Sequence, residues 1–275
     1  MSPTGRFPVI EIRGLTCGYG EKTILHDIDL SVGKGEFFGI IGPNGSGKTT
    51  MLRAMTRLIR PATGTVLLGG TDMKDLHIAD VARKVAVVSQ SMPLIEMTVR
   101  EFVLLGRIPY YRKLQFFEKE EDTAIAERVM EMTGVRHLAA VLMSEMSAGE
   151  VQLAFIARGL AQQPEVLLLD EPTSHLDITH QAAILDLVKR LNRQEGLTVV
   201  IILHDLNLAS EYCDRLVLMD GGRIRKVGTP AEVLDYETIE EVYGTVVVVR
   251  ENPLSRKPFV MIVSEEVRDK CRGRS

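Results

Sequence analysis

Phe37-Phe38-Gly39-Ile40-Ile41-Gly42-Pro43-Asn44-Gly45-Ser46-Gly47-Lys48-Thr49 is the stretch on which the reading of this chain turns. An apolar run of strand length leads straight into Gly-x4-Gly-Lys-Thr. Glycines so spaced let a backbone wrap closely enough to aim successive N–H groups at phosphate oxygens, and a helix opening at Lys48 adds its positive N-terminus. Lys48 then reaches the outer phosphates. The Thr49 hydroxyl suits Mg²⁺, a hard cation that prefers oxygen ligands.

Outward from this loop, short segments rich in β-branched residues alternate with helical patterns, the signature of an α/β fold with a largely parallel sheet. The strand candidates are Val9–Ile12, Phe37–Ile41, Thr65–Leu68, Val85–Val88, Val166–Leu169, Thr198–Leu203 and Leu216–Met219, with helices expected at 48–59, 150–162, 178–193 and 205–213. Between about 91 and 155 the strand signal vanishes, and Val99–Leu105 and Glu120–Met132 read as amphipathic helices, so a helical insertion is expected there. Valines 246–249, the Asn252-Pro253 turn and Phe259–Val263 predict a terminal hairpin, followed by a charged tail from Arg268 to Ser275.

The 275 residues are 45% hydrophobic and 25% charged, ordinary globular usage that excludes disorder and fibrous repeats. Basic residues number 33 and acidic ones 37, a net charge of -4 that opposes binding to nucleic acid through bulk charge. Phosphate binding must therefore be local. Cys17, Cys213 and Cys271 are scattered and form no Cys-x-x-Cys pair, which argues against a disulfide framework or zinc ribbon and for a reducing compartment. Apolar runs such as Val199–Leu203 fall far short of the roughly 18 residues of a membrane span, and no apolar leader is expected in Met1–Pro8. The chain is expected to be soluble, with any work at a membrane needing another chain to cross it.

A second acidic motif stands where Val166–Leu169 ends in Asp170-Glu171 before Pro172. Four apolar residues in a row suit a strand buried on both faces, and in open α/β sheets ligands sit beyond the carboxyl ends of strands. Neighbouring strand residues face opposite ways, so the two acids take different tasks: Asp170 toward Mg²⁺, Glu171 as general base on water.

With Gln90, Ser147-Ala148-Gly149-Glu150, Ser174-His175-Leu176-Asp177 and His204, these motifs resemble the ATP-binding subunit of an ABC transporter, in order and spacing from about Val9 to Tyr243. That resemblance implies a phosphate-loop NTPase (RecA-like) core with a parallel sheet, N-terminal antiparallel strands and an inserted α-helical subdomain. It divides the chain into an ATPase domain over 1–245, with its core at 1–90 and 156–245 and the insertion at 91–155, and an extension over 246–275. ATP is held by Tyr19, stacked on adenine, with Gly42, Asn44, Gly45, Ser46, Gly47, Lys48, Thr49 and Thr50. Ser147, Gly149 and Asp177 touch the nucleotide site of a second copy. Mg²⁺ is assigned to Thr49, Gln90 and Asp170, and catalysis to Glu171, His204 and Gln90. His204 is similar to a switch histidine on the γ-phosphate, and Gln90 links the water to the helical insertion.

Met146, Ala148 and Glu150 depart from the family's Leu-Ser-Gly-Gly-Gln; Ser-x-x-Glu is also a helix capping box, and Asp177 is also placed as a helix N-cap. Leu105–Tyr110 and Thr173–Gln181 resemble subunits of importers for iron-siderophores, haem and cobalamin, with 91–110 facing the membrane partner. The implied partners are a second identical subunit, integral membrane permease subunits and, indirectly, a substrate-binding protein, at the cytoplasmic face of the membrane and without nucleic acid. Two other readings remain: a soluble or other ABC-type ATPase, and a different phosphate-loop enzyme, against which the absence of Asn-Lys-x-Asp counts.

Overall fold

The computed structural model describes residues 8–89, 96–111 and 118–267. Its strands are β1 (Pro8–Tyr19), β2 (Lys22–Gly33), β3 (Phe37–Ile41), β4 (Thr63–Leu68), β5 (Thr71–Asp72), β6 (Val85–Val88), β7 (Val166–Asp170), β8 (Thr198–Ile202), β9 (Arg215–Asp220), β10 (Arg223–Gly228), β11 (Val247–Glu251) and β12 (Pro258–Ile262). The helices are α1 (Lys48–Ala54), α2 (Ile78–Lys84), α3 (Val99–Leu104), α4 (Glu120–Thr133), α5 (Ala148–Ala161), α6 (Ile178–Glu195), α7 (Leu206–Tyr212), α8 (Pro230–Val233) and α9 (Tyr236–Tyr243).

One sheet has the order β10-β9-β3-β8-β7-β6, parallel throughout except for the antiparallel edge strand β10. Its central strands β3, β8 and β7 are almost wholly apolar because both faces are covered. Phe37 and Ile41 of β3, Leu167 and Leu169 of β7, and Val199 and Ile201 of β8 turn toward the helical side. Their neighbours Phe38, Ile40, Val166, Leu168, Val200 and Ile202 face a second core shared with an antiparallel sheet of order β2-β1-β4-β5. The period of two in side-chain direction thus splits each central strand between two cores.

The parallel order sets the site. β8 lies between β3 and β7, and Ile202 pairs with Ile40 on one side and Asp170 on the other. The loops leaving these three strands therefore start level, at the carboxyl edge where open α/β sheets place ligands.

Three strands, β2, the two-residue β5 and β10, lie outside the segments predicted from apolar runs. β2 buries Ile28, Leu30 and Val32 at alternate positions but exposes Asp27 and Asp29, while β10 is an edge strand with little burial. The helix after the phosphate loop is shorter than expected, ending at Ala54. Helix α5 runs unbroken across 155 and 156, so an insertion boundary drawn there falls inside a helix. Both α4 and α6 end on glycines in the left-handed conformation, Gly134 and Gly196.

Candidate functional site

The loop from Gly42 to Thr49 leaves β3 and enters α1. Gly42, Gly45 and Gly47 all have positive φ, and the chain is especially tight at Gly42, where a Cβ would lie 2.2 Å from the Met219 carbonyl oxygen. Asn44 and Gly45 stand exposed at the tip, whereas Ser46, Gly47 and Lys48 are buried and Thr50 is covered in the first turn of α1. Lys48 Nζ donates to the carbonyls of Gly42 and Pro43, each at 2.9 Å, curling the side chain back along the loop. Burial pushes the Lys48 ammonium below the ordinary lysine value, while Glu171 and Asp170 pull it back up. The buried Ser46 Oγ has no hydrogen-bond partner. A buried hydroxyl without a partner is costly. Together with inward-curled glycines and a covered cation, it fits a phosphate group.

Asp170 closes β7 and accepts a hydrogen bond from the Thr49 hydroxyl at 3.3 Å. Burial raises its carboxyl above the usual range, and the neighbouring Glu171 adds to the rise against weaker pulls from Thr49, Arg53 and Lys48. A half-buried carboxylate beside a threonine hydroxyl and near a second acid is a donor set that suits a divalent cation of the oxygen-loving kind.

Glu171 does not continue the strand. Its φ of 52° is left-handed, which turns the chain ahead of Pro172. Glu171 Oε1 lies 2.5 Å from His204 Nε2, and Oε2 accepts from the Ser174 hydroxyl at 3.3 Å. A carboxylate offers only acceptors, so the ring nitrogen supplies the proton of the first bond. The His204 side chain is 40% exposed and that of Glu171 18%, so the pair faces open space.

Tyr19, at the end of β1, is 45% exposed. Its hydroxyl accepts from Arg53 Nη1 at 2.8 Å, tying the ring to the helix that begins at Lys48. Gln90 lies outside the described residues.

Ser147, Gly149 and Asp177 form a separate group. The Ser147 hydroxyl caps α5, and the Glu150 carboxylate accepts from its amide at 2.9 Å and its hydroxyl at 2.6 Å, a complete capping box. Asp177 caps α6. Among the described residues, no hydrogen bond or ion pair joins Ser147, Gly149 or Asp177 to Lys48, Asp170 or Glu171. One chain assembles a phosphate loop with its acids and, apart from it, a capped helix N-terminus.

Three contacts escape a reading of the sequence. Arg53 anchors Tyr19, Ser174 anchors Glu171, and the Gly42 amide reaches the Tyr243 hydroxyl at the end of α9, a phenol that burial pushes up to about 12. Only the first carried a signal, since Arg53 lies about a turn beyond Lys48 on one helix. In Leu105–Tyr110, Arg107 is buried, with its guanidinium bonded to Asp122 Oδ1 at 2.9 Å and to the Ala161 carbonyl at 2.7 Å, and stacked 4.0 Å from the Tyr110 ring. That arginine packs the interior; Ile108 is the exposed apolar residue of the segment.

Residues 25–174 match the family described as ABC transporter. The chain is 38% identical over 256 residues to the ferric enterobactin transport ATP-binding protein FepC of Escherichia coli (strain K12), covering 92% of this chain and 94% of that one. It is 40% identical to the uncharacterized ABC transporter ATP-binding protein YvrA of Bacillus subtilis (strain 168), over 94% of this chain but 58% of that longer relative. It is also 41% identical to a cobalamin import ATP-binding protein BtuD of Halobacterium salinarum, over 89% of this chain and 61% of that one. Among solved structures, an ATP-binding cassette of an ABC transporter in its ADP conformation superposes with a TM-score of 0.78 at 28% identity, covering 86% of this chain and 98% of that one. A dimeric bacterial ABC transporter cassette gives a TM-score of 0.70 at 32% identity, covering 80% and 98%. With a phosphate loop, an acid pair and a histidine meeting at one sheet edge, the chain belongs to the ABC transporter family as an ATP-binding cassette.

Proposed function

We propose that this chain is the ATP-hydrolysing subunit of an importer for a metal chelate, an iron-siderophore, haem or cobalamin, working as a pair of identical subunits against a separate membrane permease. The observation that carries the hydrolytic part is the convergence of Lys48, Asp170, Glu171 and His204 on the ends of three adjacent parallel strands. The printed names of the relatives, ferric enterobactin transport and cobalamin import, support the transported class.

The glycine amides and Lys48 grip the phosphates, and the Ser46 hydroxyl gains the partner it lacks. Tyr19, its hydroxyl fixed by Arg53, offers its ring to the adenine. Thr49 and Asp170, with Gln90, would hold Mg²⁺, which neutralises charge on the β- and γ-phosphates. Glu171 takes a proton from the attacking water, and His204 steers that carboxylate and turns toward the γ-phosphate once nucleotide is present. Water adds to the γ-phosphorus, the bond to the bridging oxygen breaks, and ADP and phosphate leave.

Ser147, Gly149 and Asp177 stand apart from this chain's own loop, so we assign them to the nucleotide of a second copy. Tighter hold on ATP than on ADP in the closed pair supplies the conformational bias. We read α3, α4 and the start of α5 as the inserted helical unit, and residues 246–275 as an appended piece. Among the described residues no helix is long and apolar enough to cross a membrane. We assign this chain to the cytoplasmic face of the membrane, against permease subunits formed by other chains.

The test is uptake of a labelled ferric siderophore, haem or cobalamin by cells lacking this chain, complemented by the parent or by Glu171→Gln. Restoration by the parent alone supports the reading. Equal uptake with the Glu171→Gln protein, or none of the three compounds affected, refutes it.

A further inference from the structure

Asp177 and Gly149 belong to different helices, yet one side chain touches both. The backbone N–H of His180 donates to Asp177 Oδ1 at 2.9 Å, and its ring Nδ1 lies 2.8 Å from the same oxygen. Those two bonds, backbone first, hold the Asp177 carboxyl below the usual range, so it stays an acceptor and Nδ1 carries the proton. The opposite edge of the ring lies against α5: a Cβ built on Gly149 would fall 2.4 Å from His180 Cδ2 and 3.1 Å from Nε2. Only a glycine leaves room for the ring there. Gly149 is the second residue of α5, two positions past the Ser147 cap.

The His180 side chain is half exposed, so apolar burial does not account for its place. The Glu150 carboxylate of α5 is already engaged by the Ser147 hydroxyl. What the ring joins are two of the three residues assigned above to the second copy's nucleotide, Asp177 and Gly149, and the third, Ser147, caps the same helix as Gly149. We propose that His180 is a positioning residue that locks the Asp177 loop to the Ser147 helix within one chain, so that a second copy meets both as one rigid surface. This rests on the paired-copy reading of the site.

The test measures Mg-ATP-driven dimerisation of the Glu171→Gln protein by sedimentation, with and without His180→Ala. Alongside it are read kcat of the His180→Ala enzyme, the ATP affinity of the single subunit and the thermal midpoint. The expected result is a dimer weakened on the order of tenfold and a similarly lowered kcat, the size of one coupled contact, with single-subunit affinity and midpoint unchanged. His180→Asn keeps a donor for Asp177 without the ring, and His180→Phe keeps the ring without the donor. Each is expected to fall between parent and His180→Ala, and together they carry the comparison if the alanine variant does not fold.

Dimerisation and turnover equal to the parent overturn the inference while leaving the paired-copy reading intact. Losses that merely follow the melting midpoint or the single-subunit affinity overturn it too, since they mark a residue of structure alone. A Glu171→Gln protein that stays monomeric with ATP removes the paired-copy reading itself.

Discussion

His204 Nε2 lies 2.5 Å from Glu171 Oε1, joining the loop after β8 to the loop after β7 across the mouth of the phosphate loop. Glu171 is held there by two partners, and its left-handed backbone aims it into the same space. Glu171→Gln keeps the shape and loses the basic oxygen, so kcat for ATP should fall roughly 10²- to 10⁴-fold with ATP affinity maintained. Steady-state hydrolysis together with equilibrium nucleotide binding checks both halves. Turnover within about twofold of the parent would remove Glu171 as the base.

Gly42 pairs a φ of 147° with a backbone carbonyl 2.2 Å from where a Cβ would stand. Gly42→Ala is expected to cost about 1–3 kcal/mol in strain, because the opposing Met219 oxygen belongs to β9 and cannot swing away. Urea unfolding measures that cost, and nucleotide affinity should fall with it.

Arg107 and Asp122 are a buried ion pair, with side-chain exposures of 3% and 6%. Arg107→Met strands the carboxylate and is expected to lose about 3–5 kcal/mol. Adding Asp122→Asn should return part of the loss, since the uncompensated charge goes. Denaturant midpoints of the single and double variants decide it.

Asp235 is opposed by burial, yet Lys226 and the Thr238 amide and hydroxyl together hold its carboxyl at about 2. A carboxyl depressed in the folded state contributes stability above the unfolded value, near ~4, and that stability is lost as pH falls through about 2. Asparagine caps a helix about as well, so Asp235→Asn isolates the charge. The variant should be less stable than the parent at neutral pH, with the gap closing between about pH 4 and 2. A gap that persists at the acid end would contradict the assignment.

The fold class and the phosphate chemistry were legible because they are written in contiguous residues. Gly42 to Thr49 carry both the backbone freedom and the cation within one loop, and the all-apolar strands announce a sheet covered on both faces. Even the capping by Ser147 and Asp177 follows from residues three apart. β2 was hidden because its buried Ile28, Leu30 and Val32 alternate with polar residues rather than forming a run.

What only the tertiary structure decided is adjacency between segments far apart in the chain. The order β3-β8-β7 brings His204 to Glu171 and Thr49 to Asp170, and no local pattern states that order. The same holds for Arg53 on Tyr19, for His180 against Gly149, and for Arg107, whose place in the interior depends on Asp122 and the end of α5. Periodicity and spacing report which face a residue turns. Which neighbour fills that face is set by packing all the elements at once.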